Sequence, residues 1–272
     1  MSLLSSALFF AILLVPTIAA PVARDSSSSP YAPTSAACPS TPLVRSATGI
    51  SSLESNYFNT RLAKASVSLA SWVSSTDPGF ATAKLPVVAL TTSGGGYRSL
   101  LTGAGVISAL DNREASQTAL SGLFQALTYQ AGLSGGSWLL SSLAANNYPT
   151  VSSLRDNLWG PAFQRGLIDP GSGLISYAEA IDDIIGDIEA KKTAGFPPTL
   201  TDPWGRLLSY QLLQAGDGGV GDTLSGVTKV SNFVSYNVPY PIITALGANP
   251  QQCPPPPNAI QYEFHPYEMG SW

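Results

Sequence analysis

Two glycine-rich stretches hold the residues best suited to chemistry. The first, "GLSGG" over residues 132–136, has G-x-S-x-G spacing. A serine on a tight strand-to-helix turn stands with its Oγ raised above a sheet, and flanking glycines keep Cβ atoms from clashing across the turn. The helix that follows aims its positive end at the site, which favours developing negative charge. Ser134 is therefore the candidate nucleophile. The second stretch, "SGGGYR" over 93–98, supplies a complementary part. Acyl transfer from an ester builds an oxyanion that backbone N–H groups can hold at about 3 Å. Three glycines between a strand and a helix can turn their amides into one cavity. Arg98 adds a cation suited to a phosphate or a carboxylate; its blander reading is a surface arginine in a first helical turn. A nucleotide loop would use the same glycines differently. The phosphate-binding pattern ends in Gly-Lys-Ser/Thr, however, and "GGYRS" stands here, while "TGAGVIS" lacks the third glycine of a dinucleotide fingerprint.

Both turns need a strand before them and a helix behind. "LPVVALTT" (85–92) reads as a buried strand and "YRSLLTGAGVISALDNR" as the helix after it. "ALTYQAGLSGGSWLLSSLAANN" (126–147) reads as strand, sharp turn and helix. Apolar residues at helical spacing from Gly49 to Val73 (Ile50, Leu53, Tyr57, Leu62, Ala65, Leu69, Trp72) predict an amphipathic helix. Further helices are predicted from Ala115 to Leu127, over 176–196 with Tyr177, Ile181, Ile184, Ile185 and Ile188 on one face and a stop at Gly195, and over 204–216. "YPIITALGA" and the start of "IQYEFHPYEMGSW" read as strands, and "QQCPPPPNA" as a stiff loop. Strands joined by helices imply an α/β layered fold around a partly parallel sheet.

The chain has 272 residues, 44% apolar and 11% charged, with net charge −4. It can bury a real core, is too apolar to be disordered, and is too lightly charged for a nucleic-acid binder. Residues 1–20 read as a secretory signal peptide, with an apolar stretch from Ala7 to Val15 and small residues at Ala19 and Ala20. Residues 21–47 read as a Ser/Pro-rich arm, and 48–272 as the catalytic unit. Secretion permits a disulfide between Cys38 and Cys253, and each could equally pair outside the chain. No His and carboxylate cluster at ligand spacing is visible, so no metal and no other cofactor is expected.

"SGGGYRSLLTGAG", "GLSGGSW" about thirty residues later, "LTDPWGRLLSYQLL", "PYPIITA" and "YEFHPYEMGSW" together resemble the fungal secreted phospholipase B, or lysophospholipase, family. That family shares its catalytic module with cytosolic phospholipase A2. The resemblance runs from about Cys38 to Trp272. It implies an α/β fold with a mostly parallel central sheet flanked by helices and a nucleophile elbow, as in patatin-like acyl hydrolases, incomplete at the C-terminus. It further implies a serine–aspartate dyad with Ser134 as nucleophile, Gly95 and Gly96 as oxyanion donors, and Arg98 meeting the lipid phosphate. Implied substrates are phospholipids and lysophospholipids at membrane or micelle surfaces; no protein partner is inferred.

The family's partner aspartate follows its GSW motif, so it is expected beyond Trp272. Within the chain, Asp217 in "DGG" is an alternative acid, although it follows a helical stretch rather than a strand and a mobile polar loop is the favoured reading. His265, the single histidine, raises a Ser-His-Asp triad, but it sits in a strand-like stretch before a proline, and the resemblance implies a structural residue there. Three functions therefore stand side by side: an acyl hydrolase, a catalytically incomplete lipid-binding remnant, and a secreted binding protein with a chance elbow.

Overall fold

Parallel strand pairing decides where the two glycine turns lie. The computed structural model describes residues 29–271 except 81, 83, 167, 172, 173, 250, 251 and 253. Its five-stranded sheet has the order β1 (Val88–Thr92), β2 (Leu127–Leu133), β3 (Tyr240–Leu246), β4 (Gln261–Phe264), β5 (Met269–Gly270). The first three strands run parallel, in a register that sets Thr92 beside Gly132 and Leu133 beside Thr244. Both glycine turns therefore leave the same carboxyl edge of adjacent strands, the place where open α/β sheets bind ligands. The sheet is mixed: β4 and β5 add antiparallel, since their connections make hairpins rather than helical crossovers.

Helix α1 (Ser52–Thr76) starts on Ser51, whose Oγ accepts the Glu54 N–H at 3.2 Å. Its buried stripe is Glu54, Tyr57, Arg61, Ala65 and Leu69, while the predicted face members Ile50 and Leu53 are exposed. Two charged residues replace them because the sheet needs donors and acceptors there. Arg61 gives hydrogen bonds to the carbonyls of Leu127 (2.8 Å), Gln125 (2.7 Å) and Tyr236 (3.3 Å), which fastens the start of β2. Burial pulls Arg61 down to about 10, still a cation at neutral pH.

Helices α2 (Gly96–Leu110) and α3 (Gly135–Ala145) follow β1 and β2 and pack on each other. Leu100, Ile107, Leu139 and Leu143 are fully buried between them and the sheet. α1 touches the opposite sheet face: Tyr129 meets Glu54 and Phe58 there, whereas Gly132 faces α3, as alternation along a strand requires.

The helix predicted from Ala115 to Leu127 does not form. Turns run instead, with three-residue bonds such as Ser121 N–H to Thr118 and Leu123 N–H to Leu120, and Gly122 at φ 105°. Leu127 already belongs to β2. The middle of the chain carries α4 (Val151–Leu154), a π-helical turn (Arg155–Trp159), α5 (Gly160–Arg165), α6 (Leu174–Thr193), α7 (Thr201–Leu212), a left-handed turn over Asp217, Gly218 and Gly219, and α8 (Ser231–Val234). On α6 the buried positions are Ala180, Ile184, Asp187 and Ala190, so Tyr177 and Ile185 of the predicted apolar face point outward. Gly195, at φ 91°, closes that helix as expected.

Residues 1–20, read as a signal peptide, and Cys253 lie outside the described residues. Cys38 is an exposed free thiol. The described part of the arm is anchored at both ends. Ser29 donates to buried Asp187 at 2.5 Å, Tyr31 to Asp202 at 2.7 Å, and Arg45 grips Glu268 at 2.7 and 2.8 Å.

Candidate active site

Ser134 ends β2 at φ 51° and ψ −119°, a left-handed conformation costly for a residue with a Cβ. The turn is braced from below. The carbonyl of Gly132 accepts Ser137 Oγ at 2.6 Å and Thr244 Oγ1 at 3.1 Å, and the Ser134 carbonyl accepts the Trp138 N–H at 3.0 Å. The Ser134 side chain does not cap α3, it is exposed, and among the described residues no hydrogen bond engages its Oγ.

The glycine loop lies directly against this turn. A methyl built on Gly94 would sit 3.0 Å from Ser134 Cβ and 3.6 Å from its Oγ. In return, a Cβ on Gly135 would fall 2.2 Å from the Gly96 carbonyl, and one on Gly136 would fall 2.1 Å from the Thr92 carbonyl. Sequence reasoning gave the elbow glycines a role within their own turn. That holds for Gly132, whose added Cβ would meet Gly136, but Gly135 and Gly136 make room for the neighbouring loop. Gly95, at φ 144°, is the residue before α2, and Gly96 follows at φ 61°.

Two helices of 15 and 11 residues thus begin at one spot, and neither carries an acidic residue in its first turn. Their positive ends converge beside the serine. Arg98 stands exposed in the first turn of α2, and no side-chain bond or ion pair holds it among the described residues.

An aromatic wall that sequence reasoning missed flanks this spot. Trp138 lies one turn after Ser134, and a Cβ on Gly96 would touch its ring at 3.9 Å. Tyr97 meets Trp138 edge-on (5.4 Å) and Phe163 (5.2 Å), and Trp204 of α7 meets Trp138 at 6.1 Å. Tyr97 donates to Gln211 at 2.5 Å, and burial pushes its hydroxyl up to about 12, so it stays a neutral donor. The four-residue step from Ser134 to Trp138 was the available signal; the partners on α5 and α7 left none.

The alternative proton acceptors are otherwise engaged. Asp217 (φ 53°) is tied rather than mobile: it accepts Arg206 Nη2 at 3.1 Å and the Tyr210 hydroxyl, and Arg206 in turn reaches buried Asp187 at 2.8 Å. His265 is buried between Glu54 on α1, with Nδ1 to Oε2 at 3.3 Å, and Glu263 on β4, with Nε2 to Oε2 at 3.1 Å. Burial opposes its charge, but the two carboxylates outweigh that and hold it above its ordinary value. The fold also brings Glu54, His265 and Glu268 within 4.8 Å of one another, a cluster that linear spacing concealed. Arg45 takes both Glu268 oxygens, so the cation there is the protein's own.

Comparison with known proteins bears on the family and the fold. Residues 88–272 match a family model described as the lysophospholipase catalytic domain. A lysophospholipase of Arthroderma benhamiae is 41% identical over 266 residues, covering 89% of this chain and 41% of the relative. Lysophospholipase 2 of Aspergillus fumigatus is 36% identical over 280 residues, 94% of this chain and 47% of the relative. Probable lysophospholipase 3 of Schizosaccharomyces pombe is 37% identical over 257 residues, 92% of this chain and 38% of the relative. The chain thus spans less than half the length of these curated relatives. Among solved structures, human GIVD cytosolic phospholipase A2 shares the fold, with a TM-score of 0.67 at 21% identity over 86% of this chain and 29% of that one.

Proposed function

The chain belongs to the lysophospholipase catalytic domain family, and on that premise we propose that it serves hydrolysis of fatty-acyl esters of lysophospholipids and phospholipids through Ser134. The carrying observation is the contact between the two glycine turns beside an exposed, strained serine. In this reading Ser134 Oγ attacks the ester carbonyl and passes its proton to the dyad aspartate that the family resemblance implies, which hands it on to the departing alcohol. The Gly95 and Gly96 amides hold the oxyanion, and Arg98 pairs with the lipid phosphate, orienting the ester. The alcohol leaves, and water then clears the acyl-enzyme. Secretion, directed by residues 1–20, belongs to the same proposal; N-terminal sequencing of protein recovered outside the cell tests it.

A fluorophosphonate ester is the direct probe; a human GIVD cytosolic phospholipase A2 structure contains one. Labelling is expected at Ser134 and absent in Ser134→Ala, and labelling indifferent to that change ends the proposal. Arg98→Ala is expected to lower turnover of lysophospholipid by about tenfold or more, the worth of a charged hydrogen bond, and to spare short uncharged esters. Equal loss on both would deny Arg98 its phosphate.

A second reading, binding without turnover, is favoured by one observation. Asp217 is held by Arg206 and Tyr210, and His265 by Glu54 and Glu263, so neither is poised to take the Ser134 proton. Ser134-dependent labelling separates the two readings.

A further inference from the structure

The stretch "KTAGFPPTLTDPW", residues 192–204, joins α6 to α7 and is apolar where it is most exposed. Leu200 is 82% exposed, Trp204 50% and Phe196 48%. Scattered exposed apolar residues are ordinary, but these three fall within nine positions of one connection. Leu200 and Trp204 stand one helical turn apart, linked by the Trp204 N–H to Leu200 carbonyl bond at 3.4 Å.

The tips are exposed while the base is fixed. Asp202 Oδ2 accepts the Thr199 N–H at 2.6 Å, and Oδ1 accepts Lys191 Nζ at 2.5 Å and the Tyr31 hydroxyl at 2.7 Å. That clamp neutralises the one acid in the stretch and binds it to α6 and the arm. A segment already rigid loses little entropy on docking. Lys192 stays exposed beside it. A cation on the same connection as an exposed tryptophan, phenylalanine and leucine matches the chemistry of a bilayer's headgroup zone, where amphipathic rings and long basic side chains settle. The patch is also continuous with the site: Trp204 meets Trp138, and Trp138 lies against Gly96.

We propose that Lys192, Phe196, Leu200 and Trp204 form a contact for a lipid surface, seating a membrane or micelle so that the Trp204–Trp138 wall leads from the acyl region to Ser134. The inference rests on the ester-hydrolase reading for its direction toward Ser134, and its test does not depend on turnover. The whole chain is mixed with phosphatidylcholine vesicles carrying brominated acyl chains, and tryptophan emission and vesicle co-sedimentation are followed. Emission is expected to be quenched in the wild-type chain, and Trp204→Phe is expected to lose most of that quenching. Leu200→Asp is expected to lower co-sedimentation about tenfold or more, the worth of one buried aliphatic side chain. Phe196→Ser with Lys192→Ser gives a second, independent variant, and circular dichroism confirms that each is folded.

Equal quenching in wild type and Trp204→Phe, or undiminished co-sedimentation of both surface variants, overturns the proposal. So does a concentration-dependent dimer that Leu200→Asp dissolves while vesicles go unbound, since the occupant is then a second copy. Fluorophosphonate labelling of the wild-type chain reports the other reading separately: labelling without vesicle binding sinks this surface alone, and vesicle binding without labelling sinks the hydrolase alone.

Discussion

Gly136 has no room for a methyl group, since its Cβ would lie 2.1 Å from the Thr92 carbonyl. Gly136→Ala must push β1 away from the elbow. Its urea midpoint is expected to fall by the equivalent of about 1–3 kcal/mol, as for other overpacked sites, together with loss of Ser134 labelling. Gly105→Ala is the matched control: nothing lies within 4 Å of its Cβ, it is exposed on α2, and a gain of about 0.5–1 kcal/mol is expected. His265 yields a pH prediction. Its pKa in the folded chain is raised by Glu54 and Glu263, so its stabilisation is complete below the unfolded value of about 6.5 and disappears as pH climbs through the folded value. His265→Gln is expected to flatten that alkaline decline in a series of urea melts; an unchanged slope would remove the ion pair from the account. At this scale the elbow and glycine loop were legible, because glycine spacing is written directly in the chain. The tie of Asp217 was not, because Arg206 and Tyr210 reach it through side-chain geometry.

Among the elements, periodicity found β1, β2, β3, α2 and α3 within a few residues, since each pairs an apolar core with glycine punctuation. It misread the buried face of α1, where Glu54 and Arg61 go inward to satisfy a histidine and three carbonyls. An apolar count cannot anticipate charges used that way. It also predicted a helix over 115–127, where Gly122 at positive φ and the Thr118 side-chain bonds hold turns instead. Arg61→Met keeps bulk but leaves the carbonyls of Leu127 and Gln125 without this donor, at about 1–3 kcal/mol for each one left buried and unpaired. A urea melt is expected to register a loss in that range, with amide exchange rising first at the start of β2.

Across the whole molecule, the contacts that matter join distant parts of the chain, and here sequence reasoning had least purchase. Ser29 reaches Asp187, which Arg206 also binds; Trp138 reaches Trp204. Arg206→Leu takes the cation from a fully buried carboxylate, and a loss of about 3–5 kcal/mol is expected in a urea melt. A much smaller loss would mean that the other partners of Asp187, Ser29 among them, hold it without the cation. The parallel part of the sheet, by contrast, followed from the alternation of strands and helices, and the observed pairing of β1 with β2 explains why residues forty positions apart share one edge. That edge carries a constraint on how the protein can change. Each glycine turn forms part of the wall that shapes the other, so their lengths are coupled: an insertion between Thr92 and Tyr97 would dislodge the serine as surely as one beside it, and variation is to be sought in the outer connections, where nothing leans on Ser134.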